Sequence, residues 1–284
     1  MLYIKKIAAA VIIPFLALSS VFSCSSKDAP PKGAKELRVD FLDVGKADAM
    51  VIQTETGTVV IDCGEKGDGK KIADVLEESG RTSVDYLIIT HFDKDHVGGA
   101  PKVLKSLEVK NVLTPDYDGT VEEYDKFCKV LEETGVPRTR MTEDMTFTLD
   151  DAEFTVYAPK ETFYGENDEN DFSLVTKVVH HKNTLLFTGD AMEQRLDEIM
   201  DIGQCTLLKV PYHGRKLDNF KDFLKVTSPK SAVVCTSSNE FSGKVQDALS
   251  SMKIPVYATC FNGNITAVSN GSTIEFTTEK DSVS

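Results

Sequence analysis

Two kinds of hydrophobic periodicity divide the chain after its first 36 residues. Short segments that alternate between apolar and polar residues are typical of strands, and apolar residues every three or four positions are typical of amphipathic helices. Residues 37–44, 49–53 and 58–61 follow the first pattern and predict a meander of strands. Residues 71–79 and 121–134 follow the second, so we expect their apolar faces to pack on a core.

The mixture of strands and helices continues to the end of the chain. Further strands are predicted at 232–234 and 256–258, a helix at 244–252, and a hairpin at 264–268 and 272–277. A chain of 284 residues with 41% hydrophobic content can form one sizeable core. We therefore predict one α/β (α+β) domain at 37–279, with two packed sheets covered by helices, and a short tail at 280–284.

The first residues predict export. Two lysines precede an apolar stretch at 7–18, which is shorter than the ~20 residues that a transmembrane helix needs. Cys24 follows, so the segment resembles a bacterial lipoprotein signal peptide. We expect cleavage of residues 1–23 and lipidation of Cys24, with 24–36 as a linker that tethers the domain outside the membrane. An unlipidated secretory signal or an uncleaved anchor is the alternative, and either would also export the domain.

The net charge and the cysteine spacing bear on two possibilities, tight nucleic-acid binding and a structural zinc site. The formal net charge is −13 at pH 7. Because phosphate contacts supply most nonspecific DNA affinity, this acidity argues against tight nucleic-acid binding. The six cysteines contain no Cys-x-x-Cys pair, so a structural zinc finger is not supported. The five after Cys24 are expected to be mainly buried thiols, with a Cys235–Cys260 disulfide as an open alternative.

A cluster of metal-capable side chains follows the apolar run at 84–90. His91, Asp93, Asp95 and His96 fall within six positions and would repel one another or remain unpaired without cations. Small residues at 97–100 follow, where backbone can pass close to a site. An ordinary polar loop at a strand end is the alternative.

Three more apolar strands end in chemistry-bearing residues. They are the segments at 59–64, 185–190 and 208–214, which carry Asp62, Asp190 and His213. These three segments, together with the motif His-x-Asp-x-Asp-His-x-Gly-Gly at 91–99, follow one another in the order that is typical of the metallo-β-lactamase superfamily. The chain therefore resembles that superfamily. It is most similar to the metallo-β-lactamase-like domain of the ComEC/Rec2 DNA-uptake proteins, here in a free-standing form. The resemblance covers nearly everything after residue 36 and implies an αββα sandwich.

The resemblance also implies a site with two divalent metal ions. His91 and Asp93 would bind the first metal, and Asp190 would bridge both metals. Asp95, His96 and His213 would bind the second metal. Asp62 would orient a ligand by hydrogen bonding. Paired cations lower the pKa of a shared water, and the resulting hydroxide would be the nucleophile, with Asp95, Asp190 and His213 as the catalytic set.

The chain departs from the superfamily pattern before the Asp190 strand, where most members carry another histidine. Residues 169–175 contain none, so Asn170, Asp171 or Ser173 is expected to complete the first metal site. An oxygen-rich site allows manganese or iron as well as zinc. His180 and His181 lie in a predicted hairpin turn and are expected to be exposed, far from Asp190.

Cationic residues near the motif loops are candidates for substrate binding. Lys94, Arg215 and Lys216 could each contact a phosphate or could be ordinary surface charges. The resemblance implies an exported hydrolase of phosphodiester bonds in a small-molecule, nucleotide or nucleic-acid substrate. Hydrolysis of a lactone, lactam or other ester is the first alternative, and a binding module without turnover is the second.

Overall fold

A computed structural model describes residues 29–165 and 169–281. The expected signal peptide at 1–23, Cys24 and the beginning of the linker lie outside the described residues, as does the end of the predicted tail. The described residues contain no helix that is long and apolar enough to cross a membrane.

Seventeen strands occur in the described residues. In chain order they are β1 (Leu37–Phe41), β2 (Ala49–Gln53), β3 (Thr58–Cys63), β4 (Ser83–Val84), β5 (Tyr86–Ile88), β6 (Glu108–Val109), β7 (Val112–Pro115), β8 (Arg138–Met141), β9 (Met145–Leu149), β10 (Ala152–Tyr157), β11 (Val175–His180), β12 (Asn183–Phe187), β13 (Leu207–Lys209), β14 (Ser231–Val234), β15 (Val256–Ala258), β16 (Ile265–Ser269) and β17 (Ile274–Thr278).

Eight α-helices accompany the strands in the same part of the chain. They are α1 (Gly69–Glu78), α2 (Lys94–Val97), α3 (Ala100–Ser106), α4 (Glu122–Thr134), α5 (Glu193–Glu198), α6 (Phe220–Thr227), α7 (Gly243–Ser251) and α8 (Thr259–Asn262). Two short 3-10 helices lie at Glu169–Phe172 and Tyr212–Gly214.

Two mixed sheets hold all but two of these strands. The first sheet has the order β17-β16-β1-β2-β3-β5-β7-β8, and the second has the order β15-β14-β13-β12-β11-β10-β9. In the first sheet the strands from β17 to β3 are antiparallel neighbours and those from β3 to β8 are parallel. In the second sheet β9 to β12 are antiparallel and β12 to β15 are parallel. Strands β4 and β6 form a separate ribbon.

Three apolar clusters confirm the predicted αββα sandwich. The central cluster lies between the two sheets and includes the Phe41 and Phe187 rings, whose centroids are 6.0 Å apart. A second cluster packs α1, α3 and α4 on the outer face of the first sheet. A third packs α5, α6 and α7 on the outer face of the second sheet. The central strands of each sheet are therefore buried on both faces, which explains the nearly continuous apolar runs of β7, β13 and β14.

The predicted and observed ends of helix α4 agree closely, because both ends carry local sequence signals. The prediction was 121–134, and the helix spans Glu122–Thr134. Three acidic residues in its first turn complement the positive end of the helix dipole. Gly135 then adopts a left-handed conformation, and its N–H bonds the carbonyl of Leu131.

The cysteines of the described residues are all free. The Cys235–Cys260 disulfide that the sequence left open is therefore wrong for this structure. Cys63, Cys205 and Cys235 are buried, as expected, whereas Cys128 and Cys260 are partly exposed.

Candidate metal centre

The candidate site lies at the carboxyl ends of four strands. Asp62 belongs to the end of β3, and His91 follows β5, its parallel neighbour in the first sheet. Asp190 follows β12, and His213 follows β13, which are parallel neighbours in the second sheet. Because parallel neighbours end at the same edge, the two sheets bring residues from distant parts of the chain to one place.

The loop after β5 turns directly into the short helix α2. Asp93 precedes α2 with extended backbone, and Asp95 and His96 lie within it. Asp95 and His96 are buried, whereas the Asp93 side chain is 41% exposed and its Oδ2 lies 3.7 Å from His91 Nε2. The helix therefore presents two of the four predicted side chains to the interior and leaves Asp93 at the mouth of the site.

Gly99 allows this loop to pack directly on neighbouring backbone. A Cβ at this position would lie 2.1 Å from the Cys63 carbonyl oxygen and 2.7 Å from the Gly69 amide nitrogen. Both are backbone atoms beside the site, so neither can move without displacing an element.

We expect Gly99→Ala to lower the free energy of unfolding by roughly 1–3 kcal/mol, because the added methyl group collides with backbone. Urea denaturation of both proteins measures the difference. Gly243→Ala is the matched control, since a Cβ at Gly243 meets nothing within 4 Å and lies at the start of α7. Equal stability of the two variants would contradict the expected packing.

The structure brings five of the six predicted metal ligands into two neighbouring groups, and the sixth, Asp93, lies at their edge beside His91. His213 Nε2 lies 3.0 Å from Asp190 Oδ2 and 3.5 Å from Asp95 Oδ2. His96 Nε2 lies 3.5 Å from the same oxygen of Asp190. Ligand atoms of His91, His96 and Asp190 lie within 4.8 Å of one another, as do those of Asp95, His96 and His213. Asp190 therefore stands between the two groups, where a bridging ligand is expected.

Asp62 fixes the orientation of two of the histidines. It accepts hydrogen bonds from the Thr90 N–H (2.8 Å), from the Thr90 hydroxyl (2.7 Å) and from His96 Nδ1–H (2.8 Å). Since the single hydroxyl proton of Thr90 is used on Asp62, Thr90 Oγ1 accepts from His91 Nδ1–H at 3.1 Å. Both rings consequently keep their Nε2 lone pairs for the site.

His213 is oriented in the same way by a backbone group. Its Nδ1–H donates to the Cys235 carbonyl oxygen at 3.1 Å, so Nε2 again carries the free lone pair. The Nε2 atoms of His91, His96 and His213 are buried and have no hydrogen-bond partner. Three buried imidazole lone pairs beside carboxylates are the donor set of a transition-metal site, so these residues fit divalent metal ions.

The electrostatics of the site couple the imidazoles to the carboxylates. Burial alone would lower the pKa of His96 and of His213, but the surrounding carboxylates, Asp190 foremost, together outweigh it and raise both pKa values well above the ordinary value. Burial would likewise raise the pKa of Asp190, but His213 and His96 lower it well below its usual range. Each charge in this cluster therefore stabilises the opposite charges beside it.

Metal binding is accordingly expected to release protons, because the raised pKa favours a proton on Nε2 and that proton must leave before the atom can donate its lone pair to a metal. Because protons compete with the metal for these two rings, the protonated fraction of each ring rises as the pH falls. The apparent metal affinity should therefore fall with the pH. Titration calorimetry in buffers of different ionisation enthalpy counts the released protons. Proton-independent binding between pH 6 and pH 8 would contradict this expectation.

Comparison with known proteins identifies the family. The sequence model of the metallo-β-lactamase superfamily matches residues 42–238. The chain belongs to this superfamily. The matched segment contains every residue of the candidate site described above.

Individual relatives support the same assignment. The chain is 27% identical over 257 residues to ComE operon protein 3 of Bacillus subtilis, which covers 82% of the chain and 33% of that protein. It is 28% identical over 204 residues to recombination protein 2 of Haemophilus influenzae, with 69% of the chain and 24% of that protein covered. The chain thus spans about a third or less of these curated relatives.

A solved structure shows the same fold. YhfI of Bacillus subtilis, a metallo-β-lactamase fold protein, superposes with a TM-score of 0.56 at 12% identity and covers 86% of this chain and 100% of that one. The family model and the two curated relatives confirm the predicted resemblance to the metallo-β-lactamase superfamily and to ComEC-like domains.

The sequence left three candidates to complete the first metal site in place of the missing histidine, namely Asn170, Asp171 and Ser173. In the structure these three side chains have different partners. Ser173 Oγ accepts a hydrogen bond from the Asp190 amide at 3.1 Å and so lies beside the site. Asp171 Oδ1 instead accepts from the backbone N–H groups of Met192 and Arg195, at the start of α5. Asn170 Nδ2 contacts Met192 Sδ. Of the three, Ser173 is the residue in direct contact with Asp190.

The prediction that His180 and His181 are both exposed is correct for His181 and wrong for His180. His180 ends β11 and β12 follows after two residues, so the hairpin turn is confirmed. His181 is exposed as expected, but His180 is buried, with its Nδ1 2.8 Å from Ser269 Oγ. The reason is that β16 and the turn after it cover this end of the hairpin, which local periodicity does not reveal.

Sequence reasoning missed a buried ion pair beside the metal centre. Lys209 Nζ pairs with Asp48 Oδ2, and both side chains are fully buried. The ammonium group also donates to the Gly189 carbonyl oxygen at 2.9 Å and lies 3.8 Å from Asp190 Oδ1. Asp48 Oδ1 lies 3.5 Å from His213 Nδ1. A lysine within the apolar strand β13 was the signal that could have found this pair.

The three cations predicted to contact substrate differ in their surroundings. Lys94 is exposed at the start of α2. Arg215 pairs with Glu240, donates to the Tyr212 hydroxyl at 3.1 Å and lies over the Tyr212 ring. Lys216 pairs with Asp218 and is half exposed. None of them is within ion-pair distance of a candidate ligand among the described residues, whereas Lys46, which the sequence did not single out, lies 2.9 Å from Asp95 Oδ2.

Proposed function

We propose that the protein is a metal-dependent phosphodiesterase that holds two divalent cations at the His91–His96 loop. One observation carries the proposal: three buried Nε2 atoms without hydrogen-bond partners lie beside carboxylates, those of His96 and His213 at Asp95 and Asp190 and that of His91 at Asp93. The superfamily assignment supports metal-dependent hydrolysis at the coarser level.

The proposed division of labour follows from the contacts. His91, Asp93 and Asp190 would hold the first cation, and Asp95, His96, His213 and Asp190 the second. Bound there, the cations would supply an activated water and a positive charge for the substrate oxygen. Asp62 and the Cys235 carbonyl hold the imidazoles in the required tautomer, and Ser173 holds the Asp190 backbone.

A phosphodiester is the proposed substrate because it bears a negative charge that paired cations can hold during in-line attack. The overall charge of −13 disfavours long contacts with a nucleic-acid backbone, so a small diester or a nucleic-acid end fits better than an extended duplex. Zinc and manganese are both compatible with the mixture of imidazole and carboxylate ligands.

The test compares substrate classes on the same preparation. Protein stripped with a chelator and reloaded with Mn²⁺ or Zn²⁺ should hydrolyse bis(p-nitrophenyl) phosphate, and the stripped protein should not. A lactone, a lactam and p-nitrophenyl acetate are assayed in parallel. Preference for a neutral ester would replace the phosphodiesterase assignment with the alternative hydrolase. No turnover and no bound metal by elemental analysis would favour a binding module.

We also propose that the protein is exported and lipid-anchored through Cys24. The proposal rests on the lysines, apolar stretch and cysteine at the start of the sequence. Labelled palmitate should be incorporated into the wild type expressed in a bacterial host and not into Cys24→Ser. Labelling of both proteins, or of neither, would contradict the anchor.

A further inference from the structure

Lys46 lies between a candidate metal ligand and solvent. It belongs to the loop between β1 and β2, and its Nζ is 2.9 Å from Asp95 Oδ2. That oxygen is also 3.5 Å from His213 Nε2, so the ammonium group contacts the site itself. The Lys46 side chain is 35% exposed, whereas that of Asp95 is 6% exposed. Lys46 therefore covers Asp95 on the side that solvent reaches.

The other lysine at the site cannot take the same part. Lys209 is fully buried, and its ammonium group is already engaged by Asp48 and by the Gly189 carbonyl oxygen. A substrate that enters from solvent can reach Lys46 but cannot reach Lys209. The nearby Arg215 guanidinium is held by Glu240 and Tyr212.

A metal ion would change the charge balance around Lys46. In its absence the ammonium group and the His213 ring both lie against the Asp95 carboxylate and compensate its charge. A divalent cation on Asp95 would supply that charge instead, which leaves the ammonium group uncompensated at the mouth of the site. An ammonium group has three donors, of which Asp95 accepts one, so two can bind oxygens of another anion.

We propose, on the basis of the proposed hydrolase function, that Lys46 binds an anionic nonbridging oxygen of the substrate phosphoryl group. It is thereby a specificity-determining residue that favours anionic phosphodiesters over neutral esters. A hydrogen bond from an ammonium group to an anionic oxygen is stronger than one between neutral groups, and Lys46 would donate such a bond beside the metal ions.

Kinetics on two substrates test the proposal. Lys46→Gln should raise KM for bis(p-nitrophenyl) phosphate roughly ten- to hundredfold, as expected for loss of a hydrogen bond to a charged group. It should leave KM for the neutral p-nitrophenyl acetate nearly unchanged, and the metal content should stay at the wild-type value. Lys46→Arg should retain part of the preference because it keeps the charge.

Two lysine variants serve as controls. Lys225→Gln removes an exposed lysine that pairs with Asp222 on α6, and it should behave as the wild type. Lys94→Gln tests the exposed lysine of α2. If Lys94→Gln rather than Lys46→Gln raises KM for the anionic substrate, the assignment to Lys46 is overturned. Loss of metal from Lys46→Gln would also overturn it, because Lys46 would then only support Asp95.

A binding measurement separates this proposal from the proposed function. Inorganic phosphate is titrated into the Mn²⁺-loaded proteins by calorimetry, which needs no turnover. Weaker phosphate binding by Lys46→Gln than by the wild type and Lys225→Gln supports the anion contact even if neither ester is hydrolysed. Equal phosphate binding by all three proteins refutes it even if the wild type is an active phosphodiesterase.

Discussion

Asp190→Asn should lower the turnover number for bis(p-nitrophenyl) phosphate by roughly a thousandfold or more. Metal ions contribute several kcal/mol to transition-state stabilisation, and each 1.36 kcal/mol corresponds to a factor of about ten. Asp190 Oδ2 is the atom on which His96 and His213 converge, so its charge holds both halves of the site. Asparagine keeps the shape of the side chain and removes this charge.

Metal content and stability must be measured together with turnover. The backbone N–H of Asp190 still donates to Ser173 in the variant, so the fold should persist and circular dichroism should be unchanged. Asp62→Asn is expected to cost less, roughly 10- to 100-fold, because Asp62 acts through His96 and Thr90. Asp222→Asn is the control, because Asp222 belongs to a surface ion pair away from the site and its loss should leave turnover unchanged. Full activity with two bound metals in Asp190→Asn would refute a bridging role.

Lys209→Met should destabilise the protein by roughly 3–5 kcal/mol, because it leaves the Asp48 carboxylate buried without its cation. Burial would raise the pKa of Asp48 and lower that of Lys209, but the opposite charge of the partner, together with the other charged groups of the site, outweighs burial, so the pKa of Asp48 is lowered and that of Lys209 is raised. The pair is therefore ionised in the folded protein. Its contribution is lost only when acid protonates Asp48 or when strong alkali deprotonates Lys209.

Asp48→Asn combined with Lys209→Met should recover roughly 2 kcal/mol of that loss, since an unpaired neutral amide costs less to bury than an unpaired charge. Urea denaturation of the chelated proteins gives the four free energies of a double-mutant cycle. Lys225→Met is the surface control and should change stability by at most about 0.5 kcal/mol. A Lys209→Met variant as stable as the control would mean that the pair contributes nothing.

The fold was largely predictable because its signals are local. Helix α4 has its own acidic first turn and its own terminal glycine, so its ends did not depend on neighbours. The loop of His91 to His96 was also visible, because strand β5 and the four side chains are adjacent in sequence. The sandwich itself came from resemblance, since periodicity alone does not say which strands pair.

Long-range packing decided the rest. Lys46 and Asp48 lie in a loop whose partners, Asp95 and Lys209, are far away in sequence, so no local pattern could show which residues pair, although a lysine in the apolar strand β13 signals that some partner is needed. His180 was misjudged for the same reason, because the covering Ser269 comes from a strand near the end of the chain.

The sequence by itself determined which residue types could bind metal and at which strand ends they occur, since strand periodicity and donor chemistry are properties of short segments. Only the tertiary structure decided that the Nε2 atoms of His96 and His213 converge on Asp190. Asp62 and the Cys235 carbonyl orient these two rings within one sheet each, but the rings meet only after the two sheets have packed together.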